Sequence, residues 1–400
     1  ILGLTSYFKS ASEDLMPRYD YLKDTHIEKI NMSNYQFEKY QEVRLLERAN
    51  EEKNKKRKQF QRSMALQHEE EESLTTYRIF SRAFCNFVFP DPPGRPMPSE
   101  TLEESINNTN DEDNMDALTL EERSKNIDNR ITEEDNEDIS YNVESYSVRI
   151  QNALNTLEEN KVKYLTGENL EKYSPKFAAI LNNMDTLDGL HLLYSQFRTI
   201  EGIKVFSMVL EANGYTQFKI KKNSSSQWIL DVPQDKFETS KMFVLYTGTE
   251  TAEEKEVIRH IYNGTWEYLP LSLVEELNKI HPNNINGEII KIFMITQSGA
   301  EGISLANTKY IHIMEPYWHP VRTEQVIGRA RRICSHVDLP EQERYIKVFY
   351  YLMQFTNQQI EEKMNTDIQT NDISKLDRSN LRPLTSDETL SETSKKKENI

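Results

Sequence analysis

The sequence predicts an α/β protein, a parallel sheet with helices packed on both faces, and three observations predict it. Short apolar runs recur at His191 to Ser195, Met242 to Tyr246, Ile289 to Thr296, Tyr310 to Met314 and Tyr345 to Leu352, each of strand length. Helical signals fall between them: Ile200 to Asn213 is periodic and ends at Gly214, and Thr251 with Glu254 three residues on is a capping box opening a helix that stops at Asn263 and Gly264. Strands spaced by helices at this interval build a parallel sheet. Finally, the strand Ile289 to Thr296 ends at Gln297, Ser298 and Gly299, and the carboxyl end of a parallel strand is where such sheets hold ligands.

Ahead of that domain, residues 1–98 read as mostly helical. Ser33 and Gln36 form a capping box, and Tyr35 to Arg62 contains neither proline nor glycine, which predicts a long helix. Its outer part, Glu51 to Lys58, is nearly all charge and suits a solvated surface, with a phosphate-contacting patch as the rival reading. Tyr77 to Phe89 is aromatic and apolar, and Pro90 to Pro96 then stops regular structure. Residues 99–145 are dominated by Asp, Glu, Asn, Ser and Thr, too little apolar surface to offset the entropy of ordering, and are expected to be a disordered acidic insertion.

The compact domain is expected over 146–365. Val148 to Leu165 is helical, Lys176 to Met184 begins the packed part, and Asn223 to Asp231 reads as a surface hairpin or loop insertion. Residues 366–400 read as a polar tail without a closing element.

Composition narrows the function classes. Of 400 residues 37% are apolar and 28% charged, so a large part of the chain cannot be core. Two cysteines, Cys85 and Cys334, are too few for a disulfide framework and have no metal-ligand spacing, which points to an intracellular reducing compartment without structural zinc. No apolar stretch approaches the roughly 20 residues that span a bilayer. The start, Ile1 to Leu4, lacks a basic region and an initiator methionine and reads as cut from a longer protein. A net charge of -16 argues against a protein that coats nucleic acid, although the acids concentrate in segments away from the predicted sheet.

The residues that could carry chemistry lie on a helix expected from near Val321 and on the small-residue loop before it. Steps of 100° place Gln325, Arg329 and Arg332 in one stripe and Val326, Ile327, Ala330 and Ile333 on the opposite side, so the helix can bury one face and present two guanidiniums on the other. Arg331 points elsewhere. Gly328 lies beside the polar stripe, where the lack of a side chain permits close approach. Paired arginines suit a phosphate whose charge grows during transfer, because guanidinium is permanently charged and bidentate. The plainer reading is an arginine-rich amphipathic helix balanced by surface carboxylates. In the loop, Gly299 and Gly302 free backbone amides to face phosphates, and Thr296, Ser298 and Ser304 add hydroxyls; its plainer reading is a tight strand-to-helix turn. His191, His312 and His319 have no ligand partners at metal spacing, and Tyr317 and Trp318 suit packing more than base stacking.

Taken together, the loop from Ser298 to Leu305 and the helix segment Gln325 to Arg332 (QVIGRARR) resemble motifs V and VI of superfamily-two helicases and translocases, whose second RecA-like lobe ends in a QxxGRxxR helix. Tyr310 to Pro320, and Leu192 to Phe197 at the opening of the lobe, are similar to chromatin-remodeller-like helicases, particularly those of large DNA viruses related to poxviral transcription-factor helicases. Gly3 to Phe8 and Met32 to Gln36 resemble the stretch that joins the two lobes in that group, which would make residues 1–98 a linker and helical protrusion. The resemblance implies a catalytic role for Arg329 and Arg332 as arginine fingers and for Gln325 as their link to the site. It implies nucleotide contacts at Gly302 and Gly328, and nucleic-acid backbone contacts at Thr296, Ser298, Gly299 and Ser304. ATP and Mg2+ are the implied cofactors, and a DNA or RNA backbone, an N-terminal lobe of the same protein and a transcription complex the implied partners.

The chain departs from the family at one point. It contains neither GxxxxGKS/T nor a DExx box after an apolar strand; Asp111 to Asn114 lies in the acidic run and Asp387 with Glu388 in the tail. Arginine fingers act only where another lobe holds the phosphates, so residues 1–400 alone are expected not to hydrolyse ATP. The alternative is a non-catalytic nucleic-acid-binding or scaffold subunit of a transcription complex. A dinucleotide-binding domain is excluded for want of GxGxxG after the first strand.

Overall fold

The computed structural model describes residues 15–64, 78–97, 146–248, 250–297, 302–374, 376 and 381–398; for 54–64, Ser147 and Glu398 it describes the backbone alone. The stretch expected to be disordered, 99–145, lies outside the described residues, as do Ser298 and Gly299.

The elements run β1 (Thr25–Asn31), α1 (Asn34–Met64), α2 (Ile79–Asn86), α3 (Tyr146–Glu159), α4 (Lys161–Tyr164), α5 (Gly167–Tyr173), α6 (Pro175–Thr186) and β2 (Leu190–Tyr194). They continue as α7 (Ile203–Ala212), β3 (Thr216–Gln217), β4 (Ile220–Lys222), β5 (Trp228–Leu230), α8 (Gln234–Thr239), β6 (Met242–Tyr246), α9 (Ala252–Asn263), α10 (Leu271–Ile280) and β7 (Ile292–Ile295). The last are β8 (Thr308–Ile313), α11 (Pro320–Ala330), β9 (Lys347–Gln354), α12 (Thr366–Asn371) and α13 (Ser386–Glu398). Seven strands form one sheet in the order β1-β9-β8-β2-β7-β6-β3, with every pairing parallel. The expected surface hairpin is present as the antiparallel pair β4 and β5, joined through Asn223 to Gln227.

The sheet is covered on both faces. Leu193, Phe243, Ile292 and Met294 pack on one side with Phe177 and Ile180 of α6 and Phe206 and Val209 of α7. Leu192, Val244, Phe293 and Ile311 pack on the other with Ile258 and Ile261 of α9, Leu273 and Leu277 of α10, and Val326, Ile327 and Ala330 of α11. Helix boundaries follow local chemistry. Ser174 Oγ accepts the Phe177 amide at 3.0 Å and Pro175 occupies the first position of α6. Thr251 caps α9 through the Glu254 amide at 3.2 Å, and Gly264 ends it with φ +70°.

The front segment, read as mostly helical, also supplies a strand. β1 lies at the sheet edge, paired with β9 from Thr25 opposite Val348 to Asn31 opposite Gln354. Its sequence alternates half-buried and exposed positions because only one face is covered, and its polar residues hide the apolar minimum that marks the inner strands. The capping box of α1 is half formed: Ser33 Oγ accepts the Gln36 amide at 3.0 Å, but the Gln36 side chain turns away to the Phe84 carbonyl at 2.8 Å. Residues 87–90, at the expected boundary, are buried.

The tail does contain a closing element. Thr385, Ser386 and Asp387 are fully buried, Leu384 and Leu390 are nearly so, and α13 packs on β9 and α2. Polar composition concealed this because two carboxylates are the anchors. Asp372 accepts from Arg44 Nε at 2.7 Å and Nη2 at 3.0 Å, and from Arg78 Nη2 at 2.6 Å. Burial works to raise this carboxyl, but hydrogen bonds from Arg44 and the charge of Arg78 outweigh it and hold it below its usual range. Asp387 Oδ2 accepts from Lys176 Nζ at 2.6 Å and from the Met353 amide at 3.1 Å, with Lys176 and Asp387 both at 0% exposure.

Beneath α6, a neutral chain of rings crosses the sheet. His191 Nε2 donates to the Leu187 carbonyl at 3.1 Å, His312 Nε2 donates to His191 Nδ1 at 2.9 Å, and the Tyr351 hydroxyl donates to His312 Nδ1 at 2.7 Å. Burial depresses both histidines, His312 to about 3, and the neighbouring His312 ring adds to the effect on His191.

Two outcomes are expected. Removing one partner of a buried pair strands the other charge, so Asp387→Asn should lower the unfolding free energy of the chain by about 3 kcal/mol, whereas Lys176→Met with Asp387→Leu should recover most of it; urea titration of the three proteins checks this. The histidines have folded values below the unfolded value of about 6.5, so the stability they support is complete above that pH and is lost as pH falls toward His312's own value. Between pH 7 and pH 5.5 the wild type should therefore lose about 1 kcal/mol more than His312→Gln, measured by urea midpoints at both pH values.

Candidate functional site

Helix α11 begins where His319 accepts the Val321 amide at 3.3 Å and Pro320 takes the first helical position. Thr323, Val326, Ile327 and Ala330 are buried against the sheet, Gln325 is exposed, and Gly328 and Arg329 are half-buried on the outer side. The helix ends at Ala330, earlier than expected. Ile333, expected on the apolar face, is 52% exposed beyond the helix. Arg332 is also past the end, and its side chain folds back: Nε donates to the Gly328 carbonyl at 3.2 Å and Nη1 to Ser304 Oγ at 2.5 Å. A cation thus satisfies one of the carbonyls that a helix leaves open at its C-terminus, where the helix dipole favours positive charge. Arg331 points the other way, its guanidinium 5.6 Å from the Tyr19 ring centroid.

The loop after β7 is tied to the same helix end. Gly302 has φ +72° with open space where a Cβ would stand, so the left-handed backbone is the reason for glycine there. Ile303 and Leu305 are buried and anchor the loop, the Leu305 amide donates to the Arg329 carbonyl at 2.9 Å, and the Asn307 amide to the Ser335 carbonyl at 2.8 Å. The Ser304 carbonyl accepts from Asn263 Nδ2 at 2.9 Å. The structure therefore joins Ser304, Gly328, Arg329 and Arg332 into one hydrogen-bonded unit. Thr296 is held apart: it is 4% exposed and its hydroxyl donates to the Thr247 carbonyl at the end of β6, 3.3 Å away.

Two contributors escaped sequence reasoning. Arg322, on the first turn of α11, donates to Gln297 Oε1 at 2.5 Å and lies 4.3 Å from the Tyr317 ring centroid, so it connects the helix start to the beginning of the loop. Asn263 grips the loop from both sides, donating to Ser304 and accepting from the Ala306 amide at 2.8 Å. In the sequence, Asn263 was legible only as a helix stop. Trp318 is covered by the Lys397 ammonium, 3.6 Å from its centroid, and by Tyr317 at 5.6 Å, an arrangement of packing. Among the described residues no group of three His, Cys, Asp or Glu could hold a metal ion, and no helix is long and apolar enough to cross a membrane.

No protein-family model matches the chain. Curated relatives do. A protein of Acanthamoeba polyphaga mimivirus, provisionally named an ATP-dependent RNA helicase, is 28% identical over 383 residues, covering 88% of this chain and 40% of that protein. A termination factor NPH-I homolog of African swine fever virus is 31% identical over 202 residues, 46% of this chain and 26% of its own length. Another mimivirus protein with the same provisional name is 40% identical over 114 residues, 28% of this chain and 24% of that protein. The chain thus spans two fifths or less of the length of these relatives. Among solved structures, the C-terminal part of the Fun30 ATPase domain aligns with 85% of this chain and 86% of that one, at 13% identity and a TM-score of 0.41. The chain thus combines a seven-stranded parallel sheet covered by helices with homologues among proteins of large DNA viruses that are named ATP-dependent RNA helicases, provisionally, or termination factor NPH-I homologs.

Proposed function

We propose that residues 1–400 are the C-terminal portion of an ATP-dependent nucleic-acid helicase or translocase, supplying its arginine-bearing lobe. One observation carries the reading: the Arg332 guanidinium bonds both the end of α11 and Ser304 of the loop after β7, so a cation at a phosphate and a loop at a nucleic-acid strand would move as one body. Arg329, half-buried on the outer side of α11, is the residue best placed to reach a phosphate group, and Gln325, exposed one turn earlier, is the residue that would link it to the rest of the site. Gly302 and Gly328 leave room for close approach, since a Cβ at either position would meet nothing within 4 Å.

The donor set here is cationic and hydroxylic, which suits phosphate oxygens and not a divalent metal. Magnesium and the main grip on the phosphates are therefore assigned to a segment outside these 400 residues, and this chain alone is inactive. ATP, when bound, supplies the phosphates on which two lobes would close and the bond whose cleavage would let them part. The residues of this chain contribute charge at the phosphates from Arg329 and Arg332. Ser298, Gly299 and Ser304 contribute donors for a nucleic-acid backbone, which carries no base information and leaves DNA and RNA equally accommodated. Residues 1–98 would then join the lobes, with their strand β1 built into this one.

The test is nucleic-acid-stimulated ATPase activity of the complete reading frame that contains this chain. Arg329→Ala and Arg332→Ala should each lower the rate by about 10³-fold while ATP binding persists, and residues 1–400 alone should show no turnover. An inert complete protein, or alanine variants at the wild-type rate, would instead assign the lobe to a non-catalytic subunit of a transcription complex.

A further inference from the structure

A second buried network lies where β2 and β8 leave the sheet. Glu315, two residues past β8, is 1% exposed. Its carboxylate accepts from Ser195 Oγ at 3.0 and 3.1 Å, from the Gln196 amide, and from Asn86 Nδ2 of α2 at 3.2 Å. The Gln196 side chain in turn accepts from Arg82 Nη2 of α2 at 2.7 Å, and the Arg82 guanidinium lies 5.7 Å from the Phe197 ring centroid. Asn86 is shared with the neighbouring ion pair, its Oδ1 accepting from Lys176 Nζ at 2.9 Å. Two cations, Arg82 and Lys176, thus face two carboxylates, Glu315 and Asp387, all four within the protein interior.

The network does more than fill space. It joins the exits of two adjacent parallel strands, the edge of such a sheet where ligand-facing loops arise. From Glu315 the chain runs through Pro316 and Tyr317 directly into α11, so whatever fixes Glu315 fixes the start of the arginine helix. The loop that meets it is equally constrained: a Cβ on Gly202 would stand 1.8 Å from the Phe197 carbonyl oxygen, and Glu201 holds a φ of +56° while its carboxylate accepts from Arg95 Nε at 2.6 Å. Arg82, Asn86 and Arg95 all come from residues 78–97, ahead of the lobe in sequence. Burial raises the Glu315 carboxyl, opposed by the Gln196 amide and by the charges of Lys176 and Arg82.

We propose that Glu315 is a positioning residue for α11: its buried carboxylate locks the chain leaving β8 to the chain leaving β2 and, with Gln196 and Arg82, lets α2 set where the arginine helix begins. The consequence for catalysis rests on the nucleotide-facing reading of α11, while the consequence for the helix itself does not.

The experiment therefore has two readouts on the complete protein, for the wild type, Glu315→Gln and Gln196→Leu. Glu315→Gln places an amide donor against three donors, and Gln196→Leu leaves the buried charges balanced and serves if the first variant does not fold. By hydrogen–deuterium exchange, either variant should speed exchange of the α11 amides about tenfold, with β7 unchanged. By nucleic-acid-stimulated ATPase, kcat should fall about tenfold with the KM for ATP within about twofold. Wild-type exchange in α11 for a folded variant overturns the proposal, as does a lowered melting temperature with an unchanged kcat well below that temperature, which is the behaviour of a merely structural residue. Arg329→Ala in the same assay separates the two readings: should it keep the wild-type rate, the proposed function falls, and the exchange data still decide the role of Glu315.

Discussion

A lysine with no access to water governs how this lobe is assembled. Lys176 sits on the first turn of α6 at 0% exposure, and an ammonium in that position is tolerated only if an anion and further acceptors surround it. Asp387, from the far end of the chain, supplies the anion at 2.6 Å, and Asn86, from the segment ahead of the lobe, supplies a carbonyl at 2.9 Å. Three distant stretches are therefore obliged to meet at one nitrogen. Asp372 repeats the device one layer out, collecting Arg44 and Arg78 from α1 and the start of α2. Around these charges Met32, Phe37, Tyr40, Phe84, Met353, Phe355 and Ile368 form an apolar cluster of their own, distinct from the two that cover the sheet.

This arrangement explains why the lobe carries so many charged residues in its interior. Hydrophobic packing alone would let the front and tail segments slide over the sheet, since apolar contact has no preferred direction. A hydrogen-bonded ion pair has both direction and register, so it selects one docking geometry even where its net contribution to stability is small. The same logic extends to Ser304 and Arg332, where one guanidinium fixes the loop after β7 against the end of α11. Position, more than strength, is what the buried charges provide.

The sequence disclosed the inner part of this design and hid the rim. The strands β2, β6, β7, β8 and β9 were legible because each is largely apolar, as a strand covered on both faces must be, whereas the two-residue edge strand β3, Thr216 and Gln217, gave no such signal; Thr251 and Gly264 marked their helix ends by chemistry that depends only on neighbours in the chain. β1 was missed because an edge strand needs just one apolar face, and Glu28 and Lys29 broke the pattern. The tail was missed because its anchors are Asp372 and Asp387, and no local signal distinguishes a carboxylate that will meet a buried cation from one that will stay in water. Of the expected stripe of Gln325, Arg329 and Arg332, the first two lie on the outer side of α11 while Arg332 lies beyond it; periodicity could not show that the helix stops at Ala330, because Arg332 and Ser335 turn back on the last carbonyls. Residue types and spacing thus indicated which residues of α11 face outward, whereas the bonding around them depended on partners far away in the chain.

The position of β1 has a temporal consequence. Among the described residues the first strand, β1, pairs along its whole length with β9, the last strand of the sheet, Asn31 and Gln354 being 323 residues apart in their side-chain hydrogen bond. During synthesis from the N-terminus, β1 has no partner until almost the entire lobe has emerged, and Arg44 of α1 and Arg78 at the start of α2 do not meet Asp372 until the tail follows. Contacts of such long sequence separation form late and slowly, because loop closure must be overcome before they contribute. The inner sheet from β2 to β9 can assemble first, and the front segment then docks as its edge. Until β1 docks, the sheet has an open rim at β9, a surface on which strands of other molecules can add.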